Sequence, residues 1–145
     1  MNLRKLAVAA CCLIVALGIV CAAQETTIKK VPMQCTKNVS GEKMYSSYCA
    51  ACHGRTGRGN GPAAKALTTT PTDLSVLALQ NHGKFPDSHV YTVIRGDANM
   101  PEAHGAKDMP LWEGLFRDSC KTFSESEIHQ RIHNLTKYIE TLQKG

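Results

Sequence analysis

The sequence predicts an all-α domain with long loops, and three observations support this class. No stretch of the chain shows the alternation of apolar and polar residues that marks a half-buried strand. The clearest periodicity is an apolar stripe at helical spacing near the C-terminus. Between the predicted helices lie long segments rich in Gly, Pro and Thr. Loops of that length in a small domain need a functional reason.

Residues 1–23 have the features of a secretory signal peptide. Arg4 and Lys5 give a positive start, residues 6–20 are almost wholly apolar, and Cys21-Ala22-Ala23 offers a small-residue cleavage site. We therefore expect the mature protein to be exported.

The predicted mature chain has an N-terminal arm over residues 24–39 and one domain over residues 40–145. Two other fates of the leader stay open. Its apolar run is just long enough to remain as a membrane anchor. Cys21 is a candidate for lipidation, although Val20 is bulkier than the small residue expected before a lipidated cysteine.

Charge excludes one class of function. The full chain has 17 Lys and Arg against 12 Asp and Glu, a net charge of +5. Without Arg4 and Lys5, residues 24–145 keep 15 basic and 12 acidic residues, a net charge of +3. No run of five like charges occurs. The chain therefore lacks the basic footprint of a nucleic-acid-binding protein.

The first predicted helix begins after Ser40, which is a plausible N-cap. It runs from Gly41 to about residues 49–51, with an apolar face that includes Tyr45 and Tyr48. A glycine so early has two explanations. Another helix approaches closely there, or the position near the helix end makes its cost small.

The middle of the chain predicts short helical segments. These are residues 63–67, residues 74–80 with Asp73 as N-cap, and a helix from Asp87 or Ser88 to Arg95 that Gly96 ends. Residues 97–111 are predicted to be irregular, and residues 112–116 form an apolar patch with Gly114 inside it.

The last predicted helix begins after Ser124. The run Ser124-Glu125-Ser126-Glu127 is a capping box, in which the serine caps the helix and Glu127 returns the bond. Apolar residues then recur at intervals of four and three: Ile128, Ile132, Leu135, Ile139 and Leu142. This stripe predicts a helix with one buried face.

The run Cys49-Ala50-Ala51-Cys52-His53 is a C-x-x-C-H motif, which is typical of covalent haem attachment. Two thiols at this spacing form thioethers with the two vinyl groups of a haem, and the histidine that follows binds the iron from one side. Positions three and four apart share a face of a helix, so all three side chains point at one flat ligand. Wrapping such a ligand also explains the long loops.

Two other functions of a C-x-x-C motif require neighbouring sequence features that this chain does not show. A thioredoxin-like dithiol needs a βαβ pattern, and none is visible in the sequence. A structural zinc site needs a second pair of ligands, but Cys120 is alone. Cys35 and Cys120 remain as an even pair in an exported chain, which favours a disulfide. Reactive thiols are the alternative, because spacing does not establish that the Cα atoms come close.

Residues 40–143 resemble the class I c-type cytochromes. Gly41 and Tyr45 match the Gly-x-x-x-aromatic pair that precedes the haem motif, and Leu135 and Tyr138 match the Leu-x-x-Tyr element of the last helix. The resemblance implies that these two helices cross at the glycine.

The resemblance also implies roles for a second set of residues. Gly61-Pro62 resembles the Gly-Pro whose proline carbonyl accepts a hydrogen bond from the haem-ligating imidazole, so Pro62 would orient His53. Class I members usually bind iron with a methionine on the other side. Met109-Pro110 is the expected site, with Met100 as the alternative, and a histidine or an open position stays possible. Trp112 is expected either to pack near the haem and donate its N–H to a propionate, or to fill the core.

The function predicted from these residues is that of a monomeric, exported, periplasmic electron carrier with one haem c, which is not an enzyme. Its partners would be redox proteins in transient complexes. Two alternatives stay open: a haem subunit held in a membrane dehydrogenase or oxidase complex, and a haem sensor with a vacant iron position.

Overall fold

The computed structural model describes residues 33–37, 39–96 and 109–144. These residues are helical and contain no strand, which confirms the all-α class. The helices are α1 (Gly41–Tyr48), α2 (Ala50–His53), α3 (Leu77–Gln80), α4 (Asp87–Arg95), α5 (Trp112–Ser119) and α6 (Glu125–Thr141), with 3₁₀ turns at Ala64–Ala66 and Leu74–Val76. The predicted leader, Met100 and residues 24–32 lie outside the described residues.

Helix α6 is the centre of the domain, and α1, α4 and α5 all pack against it. The predicted apolar stripe is confirmed, because Ile128, Ile132, Leu135 and Ile139 are all buried. The predicted capping box is also present. Glu127 accepts from the Ser124 N–H at 2.8 Å, and the Ser124 hydroxyl accepts from the Glu127 N–H at 3.3 Å. The N-terminal polar groups of the helix are thus satisfied locally.

The crossing of α1 and α6 explains the early glycine of α1. A Cβ built on Gly41 would collide with the carbonyl oxygen of Asn134 and would lie 2.8 Å from Cβ of Tyr138. Of the two explanations that the sequence left open, the structure therefore selects close approach. The crossing lies where the resemblance to class I cytochromes implied.

We expect Gly41→Ala to destabilise the protein by about 2–3 kcal/mol, because the methyl group must push two helices apart. Gly114→Ala on α5 is the matched control. A Cβ at position 114 meets nothing within 4 Å. The substitution should therefore stabilise the helix by up to about 1 kcal/mol. Urea unfolding of the holoprotein, followed by far-UV circular dichroism, measures both. Equal effects of the two variants would contradict the crossing.

Helix α5 was not predicted from the sequence, which presented residues 112–116 only as an apolar patch. Gly114 weakens a helical prediction. Trp112 and Phe116, one turn apart, are nevertheless buried against the core. Tertiary packing therefore decides the conformation here, since burial of two aromatic side chains outweighs the cost of one glycine.

The described end of the N-terminal arm is bound to the domain. The Tyr48 hydroxyl accepts from the Thr36 N–H at 2.9 Å and donates to the Gln34 carbonyl at 3.0 Å. Arg131, which is buried, donates from Nη1 to the Thr36 carbonyl at 2.9 Å. The Sγ atoms of Cys35 and Cys120 lie at bonding distance, with the Cα atoms 5.7 Å apart.

None of the helices in the described part of the chain combines the length and apolar character needed to cross a membrane.

Candidate haem site

A cavity of about 210 Å³ opens beside α2, α4 and α6. It is many times larger than the ~10–15 Å³ that a cavity needs, on the same measure, to hold one water molecule. Most of its lining is apolar and comes from distant parts of the chain: Leu67, Leu74, Leu77, Val90, Val93, Ile94 and Ile139. The cavity is therefore shaped for a large apolar ligand.

The three residues of the predicted attachment motif lie together on the wall of this cavity. Cys49 connects α1 to α2, and its carbonyl accepts from the N–H groups of Cys52 at 3.1 Å and His53 at 2.9 Å. One helical turn thus gathers both thiols and the imidazole. Neither cysteine forms a disulfide, and both line the cavity with His53.

Burial of Cys49 affects its protonation. Desolvation, with a smaller contribution from Cys52, raises the pKa of the Cys49 thiol to about 12. In the chain without a cofactor this sulfur is therefore protonated at neutral pH. A neutral thiol against an apolar wall is compatible with the uncharged thioether of a covalently attached haem.

The imidazole of His53 is oriented by a backbone carbonyl. Its Nδ1 lies 3.0 Å from the Thr72 oxygen. Because a carbonyl only accepts, Nδ1 carries the proton and Nε2 keeps its lone pair. Burial lowers the pKa of His53, and the bond to Thr72 opposes this shift only in part. The histidine is therefore held in the neutral tautomer that binds metals.

Thr72 takes the place that the resemblance gave to Pro62, so the expectation for Pro62 is corrected. Pro62 is exposed and is absent from the cavity wall, whereas Thr72 lies on that wall. The turn around Pro62 is held to α2 by backbone bonds, from Gly61 N to Cys52 O at 3.0 Å and from Ala63 N to Ala51 O at 2.9 Å.

The loop after the motif is packed tightly on α2. A Cβ on Gly61 would collide with the carbonyl oxygen of Ala51. The close neighbour of Gly61 is therefore backbone. Tyr45, which is buried on α1, donates from its hydroxyl to the Gly54 carbonyl at 2.8 Å. The turn that follows His53 is thereby tied to the core.

Met109 and Trp112 line the same cavity as the motif. Trp112 is 7% exposed, and its ring packs against Tyr48 at 5.3 Å and Phe116 at 5.8 Å between centroids. The indole therefore both fills the core and forms part of the cavity wall. Met109 is half-buried. Met100, the alternative ligand, lies outside the described residues.

Two cavity residues were missed in the sequence. Thr72 is bonded to a residue 19 positions earlier, and no local pattern predicts such a pair. His89 had no role predicted from the sequence, and it is exposed but also lines the cavity. Its position four residues before Val93 on one helix was the available signal.

The residues present fit a c-type haem. Two thiols outside any disulfide, a neutral imidazole and a thioether sulfur share one largely apolar wall. These donors are the ones that such a haem uses for attachment and axial ligation.

A family model for cytochrome c oxidase, cbb3-type, subunit III matches residues 37–113, just over half of the 145 residues. The matched segment contains the C-x-x-C-H motif and both candidate methionines. No curated protein and no solved structure matches the chain. The chain therefore belongs to the cbb3-type cytochrome c oxidase subunit III family, and it is a class I c-type cytochrome domain, a domain that binds c-type haem covalently and transfers electrons.

Proposed function

We propose that this protein is an exported electron carrier with one haem, attached through Cys49 and Cys52 and ligated by His53 and Met109. The proposal rests mainly on one observation: the attachment motif and Met109 lie on the wall of the same cavity. Residues 49–53 and residue 109 are far apart in sequence, yet their sulfur and nitrogen donors line one apolar cavity.

The residues of the cavity have distinct tasks. A bound haem c supplies an iron that takes up and releases one electron. His53 offers Nε2 to that iron, and Thr72 keeps the imidazole from rotating. Met109 offers a neutral sulfur, which favours the reduced iron and raises the potential. Val90, Ile94 and the other apolar side chains exclude water. Both ligands stay in place, so little has to move when the electron arrives.

We expect Met109→Ala to abolish the weak far-red sulfur-to-iron absorption band of the oxidised protein. The reduction potential should fall by on the order of 0.1 V, a fraction of the ~0.8 V range that axial ligands set. The reduced variant should bind carbon monoxide, because the sulfur no longer holds that position. Absorption spectra and a potentiometric titration of the purified protein measure these effects.

Met100→Ala is the matched control, since it removes the other Met-Pro methionine. It should keep the far-red band and should not bind carbon monoxide. The opposite pattern would move the ligand to Met100. If the unmodified reduced protein binds carbon monoxide, the closed coordination is wrong and a sensor with a vacant iron position is favoured.

A second candidate function comes from the family to which the chain belongs. Subunit III of a cbb3-type oxidase is by its description part of a respiratory complex. A haem subunit held in such a membrane complex would use the same cavity. Retention in the membrane fraction after a high-salt wash, together with other haem subunits, would favour it. Recovery as a free monomer would favour the transient carrier.

Export belongs to the same proposal. Residues 1–23 would direct the chain to the periplasm, where the haem is attached and where redox proteins would be its transient partners. N-terminal sequencing of the purified holoprotein tests the expected start at Gln24. A retained or lipidated leader would make it membrane-anchored.

A further inference from the structure

An ion-pair network joins α5, which begins three residues after Met109, to α4 and α6. At its centre is Glu113 on α5, whose side chain is only 16% exposed. Its Oε2 accepts from Arg95 Nε at 2.6 Å, and its Oε1 accepts from Arg117 Nη2 at 2.9 Å. Arg117 also donates to both carboxylate oxygens of Glu125, at 2.9 and 2.6 Å.

The same group of side chains has the composition of a small metal site, because Glu113, Glu125 and His129 bring their ligand atoms within 4.8 Å of one another. The carboxylates are already engaged by the guanidinium groups of Arg95 and Arg117. Burial opposes ionisation of Glu113, but the hydrogen bonds from the two arginines outweigh it and lower the pKa of this carboxyl. The cluster is therefore a charge-compensated network between helices.

The position of the Arg95–Glu113 pair relates it to the cavity. Arg95 is the last residue of α4, the helix that supplies Val90 and Ile94 to the wall. Glu113 follows Met109 by four residues. A second contact lies beside the pair, because a Cβ built on Gly96 would lie 2.8 Å from Cβ of Leu111. Leu111, two residues after Met109 and at the start of α5, thus lies against the end of α4.

We propose that Glu113 and Arg95 are positioning residues that hold Met109 against the iron. The inference rests on the proposed ligation by Met109. The pair makes no contact with the haem in this scheme. It acts through the backbone of residues 109–111, because the carboxylate on α5 is anchored to the end of α4.

Displacement of the methionine by imidazole tests this inference. Imidazole is titrated into the oxidised holoprotein, and the loss of the far-red band is followed. Glu113→Gln and Arg95→Gln should each lower the half-displacing concentration about 10-fold, which corresponds to ~1.4 kcal/mol of weaker methionine binding. The double variant should shift it by less than the sum of the two single variants, because both substitutions break the shared Arg95–Glu113 bond.

Glu125→Gln is the matched control. It removes the same charge from the same network, but Glu125 lies on α6, is 60% exposed and accepts from Arg117. An exposed pair contributes little, so the shift should stay below about twofold. A haem-stained denaturing gel and an unfolding curve for each variant verify that it is folded and loaded.

Two results would overturn the inference. Equal shifts for Glu113→Gln and Glu125→Gln would mean that the network only stabilises the fold. No shift in any variant would mean that Met109 is positioned without it. If the far-red band of the unmodified protein survives Met109→Ala, the ligation itself fails and the inference falls with it. The far-red band of Met109→Ala therefore distinguishes failure of the proposed ligation from failure of the positioning inference.

Discussion

An exported variant carrying both Cys49→Ser and Cys52→Ser will contain no covalently bound haem. A serine hydroxyl does not form the thioether bond, and the two thiols of the motif lie together on the cavity wall. The proposed axial ligands His53 and Met109 remain in this variant, but axial ligation alone does not survive denaturation. The haem stain on a denaturing gel should fall to background, and acidified acetone should extract any pigment that is left.

The single variants refine this result. Cys49→Ser and Cys52→Ser should each retain one thioether bond. Each should also give a lower yield of coloured protein. Cys35→Ser with Cys120→Ser also removes two cysteines, and it should keep the full haem stain. If the unmodified protein releases its pigment into acidified acetone, covalent attachment is wrong.

Loss of the Cys35–Cys120 bridge should lower the free energy of unfolding by about 4 kcal/mol, while covalent haem is retained. The two residues are 85 positions apart, and a crosslink over so long a loop restricts the unfolded chain strongly. The bridge also holds the arm on which Thr36 bonds to Tyr48 and Arg131. Urea unfolding of Cys35→Ser with Cys120→Ser, followed at the main haem absorption band, measures the effect.

Each single variant should lower the free energy of unfolding about as much as the double variant does, because either substitution breaks the bridge. A matched chemical test uses the unmodified protein, which should have a free-thiol count near zero without reductant. A count near two, or a double variant as stable as the parent, would show that the cysteines do not pair.

Local chemistry accounts for the features that were predicted correctly. The capping box of Ser124 and Glu127 joins residues three apart, and the stripe from Ile128 to Ile139 repeats within single helical turns. The end of α4 follows from Gly96, whose φ of 92° lies in the left-handed region that favours glycine. Neighbours along the chain determine all of these.

The features that were wrong or missed depend on distant neighbours. The imidazole partner is Thr72 instead of Pro62, because the loop returns with Thr72 on the wall and leaves Pro62 outside it. Helix α5 forms despite Gly114 because Trp112 and Phe116 are buried in the core. The Arg95–Glu113 pair spans 18 residues and two helices.

The sequence alone therefore determined the class of the domain, the motif for haem attachment and most of its helices, since these depend on residues a turn apart. Only the tertiary structure decided why Gly41 must be a glycine and which carbonyl orients His53. It also brought Met109 to the cavity wall of the motif. Contacts between distant segments depend on how every loop returns to the core, and no local pattern encodes that path.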